Sequence, residues 1–466
     1  MKRILLFMLS CFVVSAQTLF AEEASWTYDN ANGKISNGVW TFGATLKTGT
    51  KNLDIDCSGG SFEGTEPCPI DFSTGIKDLE DNEGYKVVSF KKFSAEKTGH
   101  MREFRGMMTE FVAPDCVSIG EHGVGRDFCE CTNLTKAVFN QELKINKGDR
   151  IFASCYSLVE FYPRTLRSNG NNQIKSLFSG CSSLSGKFEI PELTSVHESM
   201  FNNTKVEEIV APKVTSIGKY AFEGCASLTN IVTDSPITSI SERAFKNCTS
   251  LDKAFVDKML NVNLETINAS SFAGCTGIEG PLVWNLPLIN ALPNSCFSDC
   301  ADISQVIFKT SVQTIGSSAF YNLKQGAEIY MPKEVPDSFG WLSVCRNVIG
   351  DISSLNVKWP KIYLVGNSED WISAMDVNHC VVPKASFNDT SWVGTGYNGY
   401  NINVSWSVAK GMMAADTDMC EKNGDKLIVK DNKVVAFMFL KKNYSNHYYG
   451  CWVLRMPKSG FRVSVR

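Results

Sequence analysis

Between residues 104 and 323 the large apolar side chains of this chain recur in one frame, F-x-x-C-x-x-L. Clear copies begin at Phe128, Phe152, Phe178, Phe222, Phe245, Phe272 and Phe297. The cysteine follows three residues on, at Cys131, Cys155, Cys181, Cys225, Cys248, Cys275 and Cys300, and Leu or Ile three beyond that. Degenerate copies stand at Phe104, Phe201 and Phe320, where Met107, Thr204 and Leu323 replace the cysteine. Successive phenylalanines lie 21 to 27 residues apart, which makes ten units. A period of that length marks a solenoid in which each unit is one turn. A second anchor precedes the phenylalanine by five residues at Val196, Ile217, Ile240, Ile267, Leu292 and Ile315. The pattern predicts a short strand in each unit, such as 228–233 or 303–308, then a turn and a return segment that carries Ile, Phe and Cys inward. No unit can bury that set alone, so stacked neighbours must share one core. Phenylalanine fills the wide part of the coil, and cysteine is small enough to repeat directly above itself.

The stretches Thr215 to Leu228 (TSIGKYAFEGCASL) and Ile315 to Phe320 (IGSSAF) resemble the BspA-like leucine-rich-repeat proteins, exported repeat proteins of bacteria and some protozoa. The units near Phe178 and Phe272 carry insertions, and the Phe201 unit lacks its cysteine. The resemblance implies an α/β-type solenoid of mostly β character. Its leucine-rich-repeat array holds a parallel β-sheet and is flanked by small N-terminal and C-terminal β regions. It also implies a cell-surface or secreted protein tied to adhesion, host-protein binding or aggregation, with no catalytic residues to carry over.

The ends of the chain fall outside the frame. Lys2 and Arg3, the apolar run from Ile4 to Val14 and a small residue at Ala16 or Ala21 predict a signal peptide over 1–21, hence export. That run is too short to span a bilayer, and no later stretch approaches 18 apolar residues, so no transmembrane span is expected in the mature chain. Residues 22–100 predict a β cap, from Trp26, Tyr28, Ile35, Trp40 and Phe42 with tight turns at Asn32-Gly33 and Asn37-Gly38. The solenoid is expected over 101–335. A linker and C-terminal β domain follow over 336–466, with strands near 362–365, 401–408, 426–429, 434–440 and 452–456. The aromatic residues there, among them Trp371, Trp392, Trp406 and Trp452, form sheet core more often than a sugar-stacking platform.

Composition narrows the function. The chain has 466 residues, 43% hydrophobic and 20% charged, with a formal net charge of -3, so nothing favours disorder or nucleic acid as a partner. Of the 17 cysteines only Cys11 lies in the leader. An exported chain of that content suggests disulfides, but the seven repeat cysteines share one place in the frame and predict a column of buried thiols. Cys57 and Cys68, across a Gly/Pro-rich loop, are the best disulfide candidates, the alternative being two unpaired thiols.

Catalytic constellations are missing. The five histidines make no H-E-x-x-H pair. Cys129 and Cys131 form a C-x-C without a second ligand pair. Asp416, Asp418 and Glu421 only open like a calcium loop, because Cys420 takes a ligand position. Ser94 to Lys97 satisfies S-x-x-K without its partner motifs, and His379 and Cys380 point apart if extended. The sequence therefore predicts an exported, non-enzymatic binding or adhesion protein with no cofactor or metal, its partner an extracellular or host protein. The alternative is a secreted carbohydrate-binding accessory or hydrolase whose active region sits in the C-terminal β domain. Strand alternation places Val138, Tyr162, Val210, Val232, Phe255, Leu282 and Ile307 on the free face of the sheet, an apolar row along a concave surface. Lys136, Glu160, Glu208, Asn230, Lys253 and Gln305 flank it, which gives the apolar centre and polar rim of a protein-binding patch.

Overall fold

The computed structural model describes residues 25–79, 84–93, 100–120, 126–146, 148–168, 174–324 and 327–330, followed by the backbone of strands between Ser338 and Arg455. The leader, Ser94 to Lys97, and the His379 and Asp416 regions lie outside the described residues.

Three parallel ladders join successive units, each made by a different part of the repeat. The first is the main strand sheet. Met108–Val112, Lys136–Val138 and Glu160–Tyr162 pair in register, as do Ser185–Glu189, Lys205–Val210 and Asn230–Val232, and then Gly280–Trp284, Ile303–Phe308 and Glu328–Tyr330. The second ladder is a set of two-residue strands that carry the second anchor. Val196 pairs with Ile217, Ile217 with Ile240 and Ile240 with Ile267, and further along Leu292 pairs with Ile315. All six of these anchors are buried.

The third ladder runs through the phenylalanine corner. From Phe152 to Phe297, backbone N–H groups two residues before, at, and two residues after each phenylalanine of the repeat donate to the next unit, for example Arg150 to Lys175, Phe152 to Leu177 and Ser154 to Ser179, at 3.1, 2.9 and 2.7 Å. To aim alternate amides the same way, the residues at both flanking positions adopt positive φ, for example 59° at Arg150 and 61° at Ser154. Each corner is thus hydrogen-bonded along the axis without being a strand, which satisfies backbone groups that burial would otherwise leave unpaired. The rings stack as a consequence. Phe201, Phe222 and Phe245 lie 5.7 Å apart with interplanar angles of 1° and 3°.

The cap is β as expected, with Trp26, Tyr28, Ile35, Trp40 and Phe42 all buried. It is also continuous with the array. Cys68–Asp71 pairs in parallel with Met108–Val112, and Ser89 in strand Gly84–Lys91 pairs with Ser118. At the other end Lys361–Leu364 extends the main sheet beyond Glu328–Tyr330 and is itself paired by His447–Arg455. The expected C-terminal strands are present at Lys361–Leu364, Asn401–Ser405, Lys426–Val429, Val435–Lys441 and His447–Arg455.

One unit departs from the plan. Lys253–Met259 is a helix where the strand should be, and it separates Asn230–Val232 from Gly280–Trp284. Its apolar residues Phe255, Val256 and Met259 follow helical spacing and are buried. Asp252 caps it, its carboxylate accepting from the Phe255 N–H at 2.8 Å. Lys258 reaches back and donates to the Ile231 carbonyl at 2.8 Å, covering the edge that the missing strand exposes.

Candidate functional site

The outer face of the main sheet carries two columns of side chains on either side of the inward residues Ala137, Phe161, Ile209 and Ile231. One column is charged: Glu110, Lys136 and Glu160 lie in register, then Lys187, Glu208 and Asn230. Cross-strand ion pairs link Lys136 to Glu110 at 3.7 Å and Lys187 to Glu208 at 2.9 Å. The Glu208 carboxylate raises the Lys187 pKa. The other column is largely apolar, with Val112, Val138 and Tyr162 in one register group and Glu189, Val210 and Val232 in the next. Tyr162 is 47% exposed and Val232 37%, and Val138 and Val210 are half-buried.

Three members of the expected row do not belong to its open part. Phe255 is 4% exposed because its unit is helical, and its ring packs edge-on against Phe245 at 5.3 Å. Leu282 is 1% exposed because its unit has one more residue between Ile278 and Leu282 than the next has between Ile303 and Val306, which shifts the alternation. It pairs with the inward Val306, and Val283 takes the outward place. Ile307 does sit in the outward column, between Val283 and Tyr330 in register, yet is only 7% exposed. Beside it the expected rim residue Gln305 donates its amide to Glu328, which also accepts from the Tyr330 hydroxyl. The exposed members of the expected row, Tyr162 and Val232, therefore lie on the strands between Met108 and Val232. Sequence reasoning overlooked Val112 and Glu189, which the same alternation would have supplied, and Val159, an exposed residue just before strand Glu160–Tyr162.

The cysteine column offers no reactive group. From Cys155 on, the thiols donate to the carbonyl of the phenylalanine one unit earlier, among them Cys155 to Phe128, Cys181 to Phe152, Cys248 to Phe222 and Cys275 to Phe245, all at 3.0 Å. Thr204 fills the column where the cysteine is missing and bonds Phe201. Burial pushes the thiols up, to about 11 for Cys225 and well above the usual thiol value for Cys248 and Cys275, so at neutral pH they are protonated donors and not nucleophiles. Cys57 and Cys68 are free thiols as well, which corrects the disulfide expectation. Cys57 points inward from a strand, while the Cys68 sulfur accepts from the Trp40 indole at 3.1 Å. Among the described residues no three His, Cys, Asp or Glu side chains are placed to hold a metal ion. The C-terminal aromatic side chains lie outside the described residues.

The family model for the BspA type leucine rich repeat region matches in six copies, over 108–225, 174–285 and 215–339. The repeat array belongs to the BspA-type leucine-rich-repeat family. Its matched span coincides with the ladders above. Similar solved structures include a leucine rich cell surface protein of Faecalibacterium prausnitzii, 17% identical over 73% of this chain and 97% of its own, with a TM-score of 0.37. A leucine-rich repeat protein of Bacteroides ovatus is 17% identical over 63% and 93%, TM-score 0.24. The pneumococcal vaccine antigen PcpA is 12% identical over 74% and 96%, TM-score 0.27. No curated protein matches the chain. Among the described residues no helix is long and apolar enough to cross a membrane.

Proposed function

We propose that this chain is an exported, non-enzymatic binding or adhesion protein, secreted or held at the cell surface. It recognises an extracellular or host protein with the outer face of the strands between Met108 and Val232. The observation that carries the reading is the row Val138, Tyr162, Val210 and Val232, half-buried or exposed on a rigid parallel sheet and flanked by cross-strand ion pairs. Apolar side chains fixed by a sheet lose little entropy when a partner covers them, and tyrosine is favoured at the centre of such contacts. The BspA-type family and the leader-like N-terminus agree with export to a surface. The test is capture from the natural surroundings on the immobilised full chain. Tyr162→Asp and Val232→Asp should each lose the captured protein with the unfolding midpoint within a few degrees of the parent. Undiminished capture by both variants would refute this face as the site.

A further inference from the structure

A polar groove crosses the phenylalanine corners of the first three units, ahead of their main strands. We propose that it binds a short neutral saccharide, one ring of which stacks on Tyr156. This is a second binding site, for a small ligand, and it uses none of the row Val138, Tyr162, Val210 and Val232.

The 3-10 helix His100–Met107 makes one wall. Met101 is buried and the Phe104 ring lies 5.3 Å from that of Phe62 in the cap, so the helix is held by its apolar residues while Glu103 and Arg105 line the groove. Two polar contacts tie this wall to the next unit. The Asn133 amide donates to the Gly106 carbonyl at 2.6 Å, and Arg105 pairs with Glu130. Thr132 and Ser154 complete the lining together with Tyr156, which is 52% exposed. The groove holds about 580 Å³, inside the range of about 300–1,000 Å³ of small-molecule sites, with room for about two pyranose rings.

Stacking of the repeats does not call for these side chains. The place four residues after the phenylalanine holds Thr, Ser, Ala, Met or Lys in every other unit, and Tyr156 is its one aromatic residue. Glu130 stands at the corner place of positive φ, 62°, where the later units have Ser, Gly, Asn or Asp. A long side chain gains nothing from that backbone, and local departures from a repeat's own rule collect at functional positions.

The chemistry of the lining selects the ligand. Two carboxylates disfavour an anion, and the Arg105 guanidinium, already engaged by Glu130, disfavours a cation. A neutral ligand rich in hydroxyls satisfies both signs at once. Vicinal hydroxyls donate to a carboxylate in pairs and accept from a guanidinium, and the Thr132 and Ser154 hydroxyls serve either way. The C–H face of a pyranose then covers the Tyr156 ring, whose hydroxyl stays wet.

Saturation-transfer difference NMR of the full chain with lactose, cellobiose, maltose and mannobiose tests this, with an arginine-centred tripeptide as the cationic control. At least one disaccharide should bind with a dissociation constant of about 10 mM or tighter, its C–H protons receiving the strongest saturation. Tyr156→Ala should weaken that binding about fivefold or more, whereas Tyr156→Phe, which keeps the ring, should stay within about twofold of the parent. Glu130→Gln should weaken it about fivefold through the lost charge-assisted bonds. Thermal midpoints of all three variants should match the parent, and Tyr162→Asp should leave disaccharide binding unchanged. The proposal is overturned if none of the four disaccharides binds, if Tyr156→Ala binds as the parent does, or if the tripeptide binds more tightly than every disaccharide.

Discussion

Single residues hold this array together through contacts between equivalent positions. The cysteine of the repeat is more than a small apolar filler, because its S–H satisfies the phenylalanine carbonyl of the unit before it. Cys248→Ala should cost about 1–2 kcal/mol, from a lost hydrogen bond plus a small void. Mass spectrometry of unreduced peptides should find the cysteines at 131, 155, 181, 225, 248, 275 and 300 free of bridges to one another. Two residues after each phenylalanine from Phe128 on, φ is positive, and from Gly180 to Gly274 Gly alternates there with Asn. A Cβ on Gly224 would lie 2.1 Å from the Asn203 side-chain oxygen, and one on Gly274 would lie 2.3 Å from that of Asn247. Gly224→Ala is expected to destabilise by about 2 kcal/mol. Adding Asn203→Gly should recover the steric part, visible as coupling in a double-mutant cycle of thermal midpoints. His197 accepts the Ile174 N–H on Nδ1 at 2.9 Å. Burial first, and then Lys175, lower its pKa; Lys175 in turn pairs with Glu198 at 3.4 Å. The unfolded chain therefore binds the proton more readily than the folded one, and stability falls as pH drops below about 6.5, the unfolded value. His197→Asn, which keeps an acceptor but does not titrate, should flatten the midpoint between pH 7.5 and 5.5.

At the scale of elements, the sequence was legible wherever one period held. Phenylalanine, cysteine and second anchor fell on the corner, the column and the second ladder because all three are buried by the same stacking. The outward row was legible as far as Val232 and again at Ile307. Between them two local events broke the alternation, each with a cue in the residues. Asp252 followed by Phe255, Val256 and Met259 is a capped helical spacing read as a strand. One extra residue between Ile278 and Leu282 turns Leu282 inward, opposite Val306. The corner ladder was not legible at all. Its positive-φ positions include Arg150, Tyr220 and Arg243, residue types that carry no turn signal, and their conformation is imposed by hydrogen bonds to the next unit. Asp252→Ala removes the cap that starts the helix. It should cost about 1 kcal/mol in denaturant unfolding of the array, while Phe255→Asp, a charge in the core, should prevent folding of that unit.

Among the described residues, cap, repeats and strand Lys361–Leu364 are joined into one stack by backbone pairing. Nothing in the composition pointed to that continuity, since the cap's own alternation reads as a separate β unit. What the stack offers is a stiff face whose exposed row residues, Tyr162 and Val232, lie on the strands between Met108 and Val232, and the account stands on that face being the place where a partner sits. Hydroxyl-radical footprinting of the full chain with its captured protein tests this most directly, because it reads side-chain exposure residue by residue. Tyr162 and Val232 should lose reactivity in the complex, while Val262 and Leu288, at least as exposed elsewhere on the array, keep theirs. Protection at Val262 or Leu288 with Tyr162 and Val232 unchanged would contradict the account.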